Sequence, residues 1–391
     1  MDNPPILLLH VLHEGRTRNI LIEDKRFKNL DAPDEVAGSM ALDATGMAIL
    51  PALYNTHTHA AMTLLRGYAD DMPLQKWLTD YIWPFEDKLT PEDIRHGSEI
   101  AVREMAESGT VFFNDMYFDV EQTIDVVNRT GLRAAIGITV MENHSQAVTE
   151  EKREFILHWQ DPTGGRIQLV MAPHAIYTVG ERKLRDCAAF ARENGMLIHI
   201  HLSETLKEVV DCIKEHGVSP VRYLDRIGLL GPDVIAAHCV HVDDEEASIL
   251  AERGVTIAHN PCSNMKLGSG IFPYKRLMQA GCRITLGTDG ASSGNNLDLR
   301  EAMKFAALLA KVGGDPELLP AEEVFRWATQ CGAEAFGIDA GVIAEGKLAD
   351  CLLIDLGDVR MRPCHHLVSN FVYAADSRCI KHVLCDGSII L

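Results

Sequence analysis

Two histidines one residue apart, His57 and His59, close the apolar run Met47-Ala-Ile-Leu-Pro-Ala-Leu-Tyr-Asn-Thr. Successive side chains on a strand point to opposite faces, so positions i and i+2 share a face and both imidazoles can reach a single metal ion. Imidazole nitrogen suits zinc or iron. An isolated His-x-His is a weak signal, because two histidines in a polar turn read the same way. Three more residues strengthen it: His201, His238 and Asp289 each stand just beyond another short, strand-like apolar segment. A divalent metal lowers the pKa of a bound water from about 15.7 to near 7, so hydrolysis is the chemistry such a set would support.

Residues this far apart need an architecture that gathers strand ends. Eight β-rich runs can be read along the middle of the chain: Ala48 to His57, Thr110 to Met116, Leu132 to Thr139, Arg166 to Pro173, Met196 to Leu202, Val234 to Val240, Val255 to Asn260 and Ile284 to Asp289. Segments of helical periodicity separate them, among them Pro91 to Ser108, Glu181 to Asn194, Leu206 to Glu215, Asp243 to Arg253 and Pro273 to Ala280. Strands alternating with helices predict a parallel sheet. A doubly wound sheet would gather ligand groups at one switch point, whereas here they end the first, fifth, sixth and eighth runs. An α/β fold of the (β/α)8 TIM-barrel type, with its active site at the carboxyl ends of the strands, fits better. Short strand-like runs at Ile6 to Leu12, Arg18 to Ile22 and Met40 to Asp43, and again at Cys351 to Ile354, Val368 to Tyr373 and Ile380 to Leu384, predict a small β-sandwich formed by both termini. The expected division is 1–46 and 341–391 for the sandwich and 47–340 for the catalytic barrel. No internal repeat or low-complexity tract interrupts it.

The 391 residues carry a formal charge of −19, which argues against nucleic acid, a partner held mainly by lysine and arginine contacts to phosphate. No apolar run approaches the roughly 18 to 20 residues of a membrane helix. Met1 to Pro5 lack the charged start and apolar stretch of a secretory signal. A cytoplasmic protein acting on a small molecule, with no membrane partner and room for a homo-oligomer, is the expectation. The ten cysteines show no Cys-x-x-Cys pair, so buried reduced thiols explain them better than disulfides or a sulfur-ligated metal.

The motifs Asn55-Thr-His57-Thr-His59-Ala-Ala-Met-Thr-Leu-Leu-Arg-Gly67, Tyr81-Ile-Trp-Pro-Phe-Glu86, His199-Ile-His201-Leu-Ser-Glu204, His238-Cys, His259-Asn-Pro-Cys-Ser-Asn264 and Gly287-Thr-Asp289-Gly290 resemble those of the amidohydrolase superfamily. Within it they are similar to the metal-dependent aminohydrolases that deaminate 5'-methylthioadenosine and S-adenosylhomocysteine, and the likeness runs nearly end to end. The resemblance implies one divalent metal, zinc first and iron second, held by His57, His59, His201 and Asp289. Three neutral imidazoles and one carboxylate leave such a site net positive, which favours hydroxide over water. It gives Asp289 a second role, taking a proton from the attacking water and passing it to the departing ammonia. It casts Glu204 as the acid that protonates the ring nitrogen beside the attacked carbon, a task that needs a raised pKa. It casts His238 as the group that steadies the developing negative charge. Without this context Glu204 would read as an acidic residue opening a helix.

The same resemblance places His174 and Glu86 on the substrate, with Glu86 accepting from ribose hydroxyls. A binuclear relative of the dihydroorotase or hydantoinase type would offer a carboxylated lysine on the fourth strand, and no lysine occurs from Arg166 to Arg182. Trp77, Tyr81 and Trp83 are candidates for a hydrophobic lid, and Asn260, Ser263 and Asn264 for the pocket rim. His199 reads as an interior histidine; His241, His365 and His366 read as structural or exposed, and His259 is evenly balanced. Relatives that accept S-adenosylhomocysteine are expected to carry arginines after the third strand, but Met141-Glu-Asn-His-Ser-Gln-Ala147 has none, and Arg133 and Arg153 are poorly placed. Adenosine, 5'-deoxyadenosine and methylthioadenosine are therefore at least as plausible as substrates. Two competing readings remain: a deaminase or hydrolase of another amino-heterocycle such as guanine, 8-oxoguanine, cytosine or an s-triazine, and a non-catalytic assembly protein on the same barrel.

Overall fold

The computed structural model describes residues 4–391. Eight parallel strands, Leu53–Thr58, Thr110–Tyr117, Arg133–Val140, Ile167–Pro173, Ile198–Leu202, Val234–His238, Thr256–His259 and Arg283–Leu286, pair in sequence order to form a nearly closed barrel. Helices such as Pro91–Glu107, Glu181–Glu193, Leu206–His216 and Asp244–Glu252 connect them. Buried between side chains on one face and helices on the other, these strands need continuous apolar runs rather than alternation; every residue of Ile198–Leu202 and Val234–His238 is buried.

The seam between the eighth and first strands is made largely by side chains. Thr56 Oγ1 donates to the Leu286 carbonyl (2.9 Å) and lies 2.8 Å from Thr285 Oγ1. Asn55 exchanges bonds with Thr288, and Asp289 N donates to the His57 carbonyl at 3.1 Å. Gly287 sits in this seam because a Cβ there would lie 2.8 Å from the His57 carbonyl oxygen. The last bond ties Asp289 directly to the strand that carries His57 and His59.

Both termini build a separate mixed sheet, in which Met47–Pro51 pairs antiparallel with Cys351–Asp355 and touches Ile6–His13. The run expected as one strand from Ala48 to His57 is therefore two, one in each sheet. Pro51 has no N–H to continue a ladder, and at Ala52 the chain crosses from the terminal sheet into the barrel, its N–H donating to the Asp350 carbonyl. A second departure is Val368 to Tyr373, expected as a strand and found as a helix, Leu367–Tyr373. Its apolar residues at 367, 368, 371 and 372 fit one helical face, and burial of Phe371 and Val372 outweighs the strand preference of Val, Phe and Tyr.

A buried charge network joins the two parts. Arg133 Nε, at the start of the third strand, is 3.0 Å from Asp350 Oδ2, and its Nη2 pairs with Asp386. The Tyr54 hydroxyl donates to Asp350. Arg133 is thus committed at the amino-terminal end of the barrel. No described helix is long and apolar enough to cross a membrane.

Candidate metal centre and cavity

His57 lies in the first strand and His59 just past it, His201 in the fifth, His238 at the end of the sixth, and Asp289 three residues beyond the eighth. Their donor atoms meet at the carboxyl end of the barrel. Asp289 Oδ1 is 3.4 Å from His57 Nε2 and 3.2 Å from His59 Nε2, and His59 Nε2 is 3.4 Å from His201 Nε2. Ligands held tetrahedrally at 2.0–2.1 Å from one ion lie about 3.3 Å apart; His57, His59 and Asp289 form one trio of donors suited to a divalent cation, and His201 adjoins it at His59. His57 Nε2 is buried and has no hydrogen-bond partner, as expected of an atom turned toward an ion site. His238 stands close enough to His57 and His201 to complete an alternative trio of donors.

The opposite nitrogen of each ring explains the orientation. His59 Nδ1 lies 2.6 Å from the Met116 carbonyl oxygen and His201 Nδ1 2.7 Å from that of His174. A carbonyl only accepts, so the ring proton sits on Nδ1 and the Nε2 lone pair turns inward. His57 Nδ1 instead faces His199 Nε2 at 2.9 Å. Asp289 accepts from Gly290 N on Oδ1 and from Ser263 and Ser293 on Oδ2. His238 and Asp289 both hold left-handed backbone, φ 76° and 61°, a conformation uncommon outside glycine that tends to mark functional strand ends.

Above these donors lies a cleft, and His59, His174, His201, Glu204, His238, Asp289 and Glu86 all line it. Glu204 is 4% exposed; burial raises its carboxyl above the usual range, with His238 pulling the other way. Its Oε2 is 3.8 Å from His238 Nε2, while His238 Nδ1 faces Asn264 Oδ1 at 2.8 Å. Burial pushes His174 down to about 3, keeping it neutral, and its Nδ1 meets the Thr178 hydroxyl at 2.9 Å. Burial also pushes the Glu86 carboxyl up to about 7, opposed mainly by the Tyr117 hydroxyl beside it. Glu86 and Tyr117 both line the cleft, and their side chains stand next to each other with no other hydrogen-bond partner for Glu86 Oε1 or the Tyr117 hydroxyl.

Other expectations sort by position. Trp77 and Trp83 line the cleft; Tyr81 packs on Tyr68 instead. His259 bonds the Tyr274 hydroxyl and stacks on Phe272, away from the donors. His241 bonds the Ser269 carbonyl, and His366 caps the helix Leu367–Tyr373. Asn264 and Ser263 are not at a rim but buried against His238 and Asp289. Sequence reasoning passed over Tyr117 and Asn114, since nothing local marks which residues of a buried strand face the barrel interior. It also passed over Glu208, whose carboxylate accepts from Ser203 N and Glu204 N at 2.9 and 2.8 Å and fixes the turn carrying Glu204.

Over residues 48–390 the sequence matches the Amidohydrolase family. It is 44% identical to the 5'-deoxyadenosine deaminase of Methanothermobacter thermautotrophicus, across 100% of this chain and 94% of that protein. It is equally, 44%, identical to the 5-methylthioadenosine/S-adenosylhomocysteine deaminase of Pelotomaculum thermopropionicum, across 92% of this chain and 84% of the other. The crystal structure of an adenosine deaminase from Xanthomonas campestris with bound zinc superposes with a TM-score of 0.92 at 33% identity, covering 98% of this chain and 92% of that one.

Proposed function

The chain belongs to the amidohydrolase family, and on that premise we propose that it hydrolyses the exocyclic amine of an adenosine-type nucleoside, giving the inosine analogue and ammonia. The observation that carries this reading is the approach of Asp289 to His57 and His59, and of His59 to His201, at 3.2–3.4 Å beneath a cleft lined by Glu204 and Glu86. His57, His59, His201 and Asp289 would hold one divalent ion, zinc before iron. When bound, that ion supplies hydroxide at neutral pH by lowering the pKa of a water molecule.

The chain's own groups do the rest. The Asp289 carboxylate, held by Ser263 and Ser293 on Oδ2 and by Gly290 N on Oδ1, takes the proton of the attacking water and delivers it to the leaving amine. Glu204, whose carboxyl burial raises above its ordinary range, gives its proton to the ring nitrogen next to the attacked carbon and regains one from the new hydroxyl as the carbonyl forms and the C–N bond to the amine breaks. His238, whose Nδ1 is held by the Asn264 side chain, donates from Nε2 to the oxygen that acquires negative charge once the Asn264 amide turns its unpartnered Nδ2 to His238 Nδ1; a preorganised donor of this kind is worth about 3–4 kcal/mol. Glu86 and Tyr117 offer an acceptor and a donor to adjacent ribose hydroxyls, and His174 contacts the nucleoside.

Asp87, Asp119 and Glu142 line an adjoining pocket that shares Trp83, Glu86, Phe118 and Met141 with the cleft, and Lys183 Nζ is engaged by the carbonyls of Met141, Glu142 and His144. Arg153 lies on the Phe190 ring. This surrounding disfavours a substrate carboxylate, so adenosine, 5'-deoxyadenosine and methylthioadenosine are placed ahead of S-adenosylhomocysteine. We take the enzyme to work in the cytoplasm, on a small solute, without nucleic-acid or membrane partners. The alternative, another amino-heterocycle on the same machinery, has no use for the Glu86–Tyr117 pair. An ammonia-release screen of zinc- or iron-loaded protein over adenosine nucleosides, free purines, pyrimidines and triazines tests the reading. Faster turnover of a ribose-free base than of any nucleoside would reverse the order.

A further inference from the structure

We propose that His199 and Asn114 are positioning residues for His57, forming a directional chain of hydrogen bonds that decides which His57 nitrogen carries the ring proton. The proposal rests on the reading of the site as a metal centre and is independent of the substrate. All three side chains are fully buried, and His199 and Asn114 do not line the cleft. They come from the first, fifth and second barrel strands and meet across its interior. His57 Nδ1 is 2.9 Å from His199 Nε2, and His199 Nδ1 is 3.0 Å from Asn114 Nδ2.

A neutral imidazole has one N–H and one lone pair, so these links fix one another. If Asn114 Nδ2 donates to His199 Nδ1, then His199 Nε2–H donates to His57 Nδ1 and the His57 proton lies on Nε2, facing Asp289 Oδ1 at 3.4 Å. That direction closes the Nε2 lone pair to a cation. Coordination requires the reverse: His57 Nδ1–H donates to His199 Nε2, and His199 Nδ1–H donates to the Asn114 carbonyl oxygen. Asn114 Oδ1 is buried without a partner, and a half-turn of the amide brings it to His199 at the expense of the Nδ2 bond to the Thr56 carbonyl. Cation binding thus reverses the chain, and the Asn114 amide is the end that turns.

The experiment measures zinc affinity by chelator competition and the cobalt(II) absorption spectrum, together with the thermal midpoint of metal-free protein. For His199→Leu, zinc affinity is expected to fall about 10- to 100-fold with an altered cobalt spectrum, while His199→Gln, whose amide oxygen can accept from His57 Nδ1–H, retains it. Asn114→Asp, which can only accept when ionised, keeps the affinity that Asn114→Leu loses. The metal-free midpoint separates this from a general packing defect: a positioning role lowers the gain on adding zinc more than the midpoint of the metal-free protein. Unchanged affinity in His199→Leu, or equal losses in Asn114→Asp and Asn114→Leu, overturns the proposal. If His199→Leu does not fold, the Asn114 pair decides. Wild-type protein that takes up no divalent cation would instead overturn the metal-centre reading beneath it.

Discussion

Replacing Glu86 with Gln should stabilise the protein at alkaline pH while impairing its use of ribonucleosides. Burial raises the Glu86 carboxyl from 4.5 to about 7, so the folded state binds a proton that the unfolded state releases. Stability linked to that proton is fully present below pH 4.5 and is lost as pH rises through 7. At pH 8 the difference of about 2.5 pKa units corresponds to at most about 3.4 kcal/mol. Because the side chain remains partly open to the cleft, solvent screening reduces this to about 1–3 kcal/mol. Gln keeps the shape and removes the charge, so Glu86→Gln should match wild type in urea unfolding at pH 4.5 and exceed it at pH 8. In the same variant, kcat/KM should fall for adenosine and much less for 2',3'-dideoxyadenosine, which has no diol for Glu86 to bind. Identical stability at both pH values would refute the buried-carboxyl argument, and equal losses on the two nucleosides would refute the ribose contact.

Glu204→Gln should lower kcat by about 10²- to 10⁴-fold, the range expected when a positioned proton donor is removed, with zinc content unchanged by elemental analysis; loss of the metal would mean that Glu204 has been misassigned. Rising pH should reduce wild-type turnover as the raised Glu204 carboxyl ionises, and a pH–rate profile without a basic limb would contradict its role as acid. Methylthioadenosine, adenosine or 5'-deoxyadenosine should reach a kcat/KM at least equal to that of S-adenosylhomocysteine, and a large preference for the latter would show that a cation reaches the cleft from elsewhere. Arg133→Ala leaves Asp350 and Asp386 buried without their guanidinium and should cost about 3–5 kcal/mol in urea unfolding; a smaller loss would show that water enters the joint between barrel and terminal sheet.

Much of the fold was legible because a parallel barrel leaves two local traces: apolar runs buried on both faces, and connecting segments with helical periodicity. The candidate donors could be found for a related reason. Strand ends in such a barrel converge whatever lies between them, so a histidine or aspartate just after an apolar run already suggests a location. Local pattern failed where a neighbour decided the outcome. Val368 to Tyr373 has strand-like composition, yet burial of Phe371 and Val372 makes it a helix. Ala48 to His57 reads as one run, yet two different sheets claim its halves.

By itself the chain determined the barrel, the terminal sheet and the residue types able to bind a cation and move protons, because these follow from periodicity and side-chain chemistry. Tertiary structure alone decided what each does. His199 and His201 share a strand and a face, yet one packs on His57 in the interior and the other opens onto the cleft. Asn264 orients His238 from 26 residues away, and Asn114 meets His199 from 85. Such pairings depend on depth within the barrel and on contacts between distant strands, which no local pattern encodes.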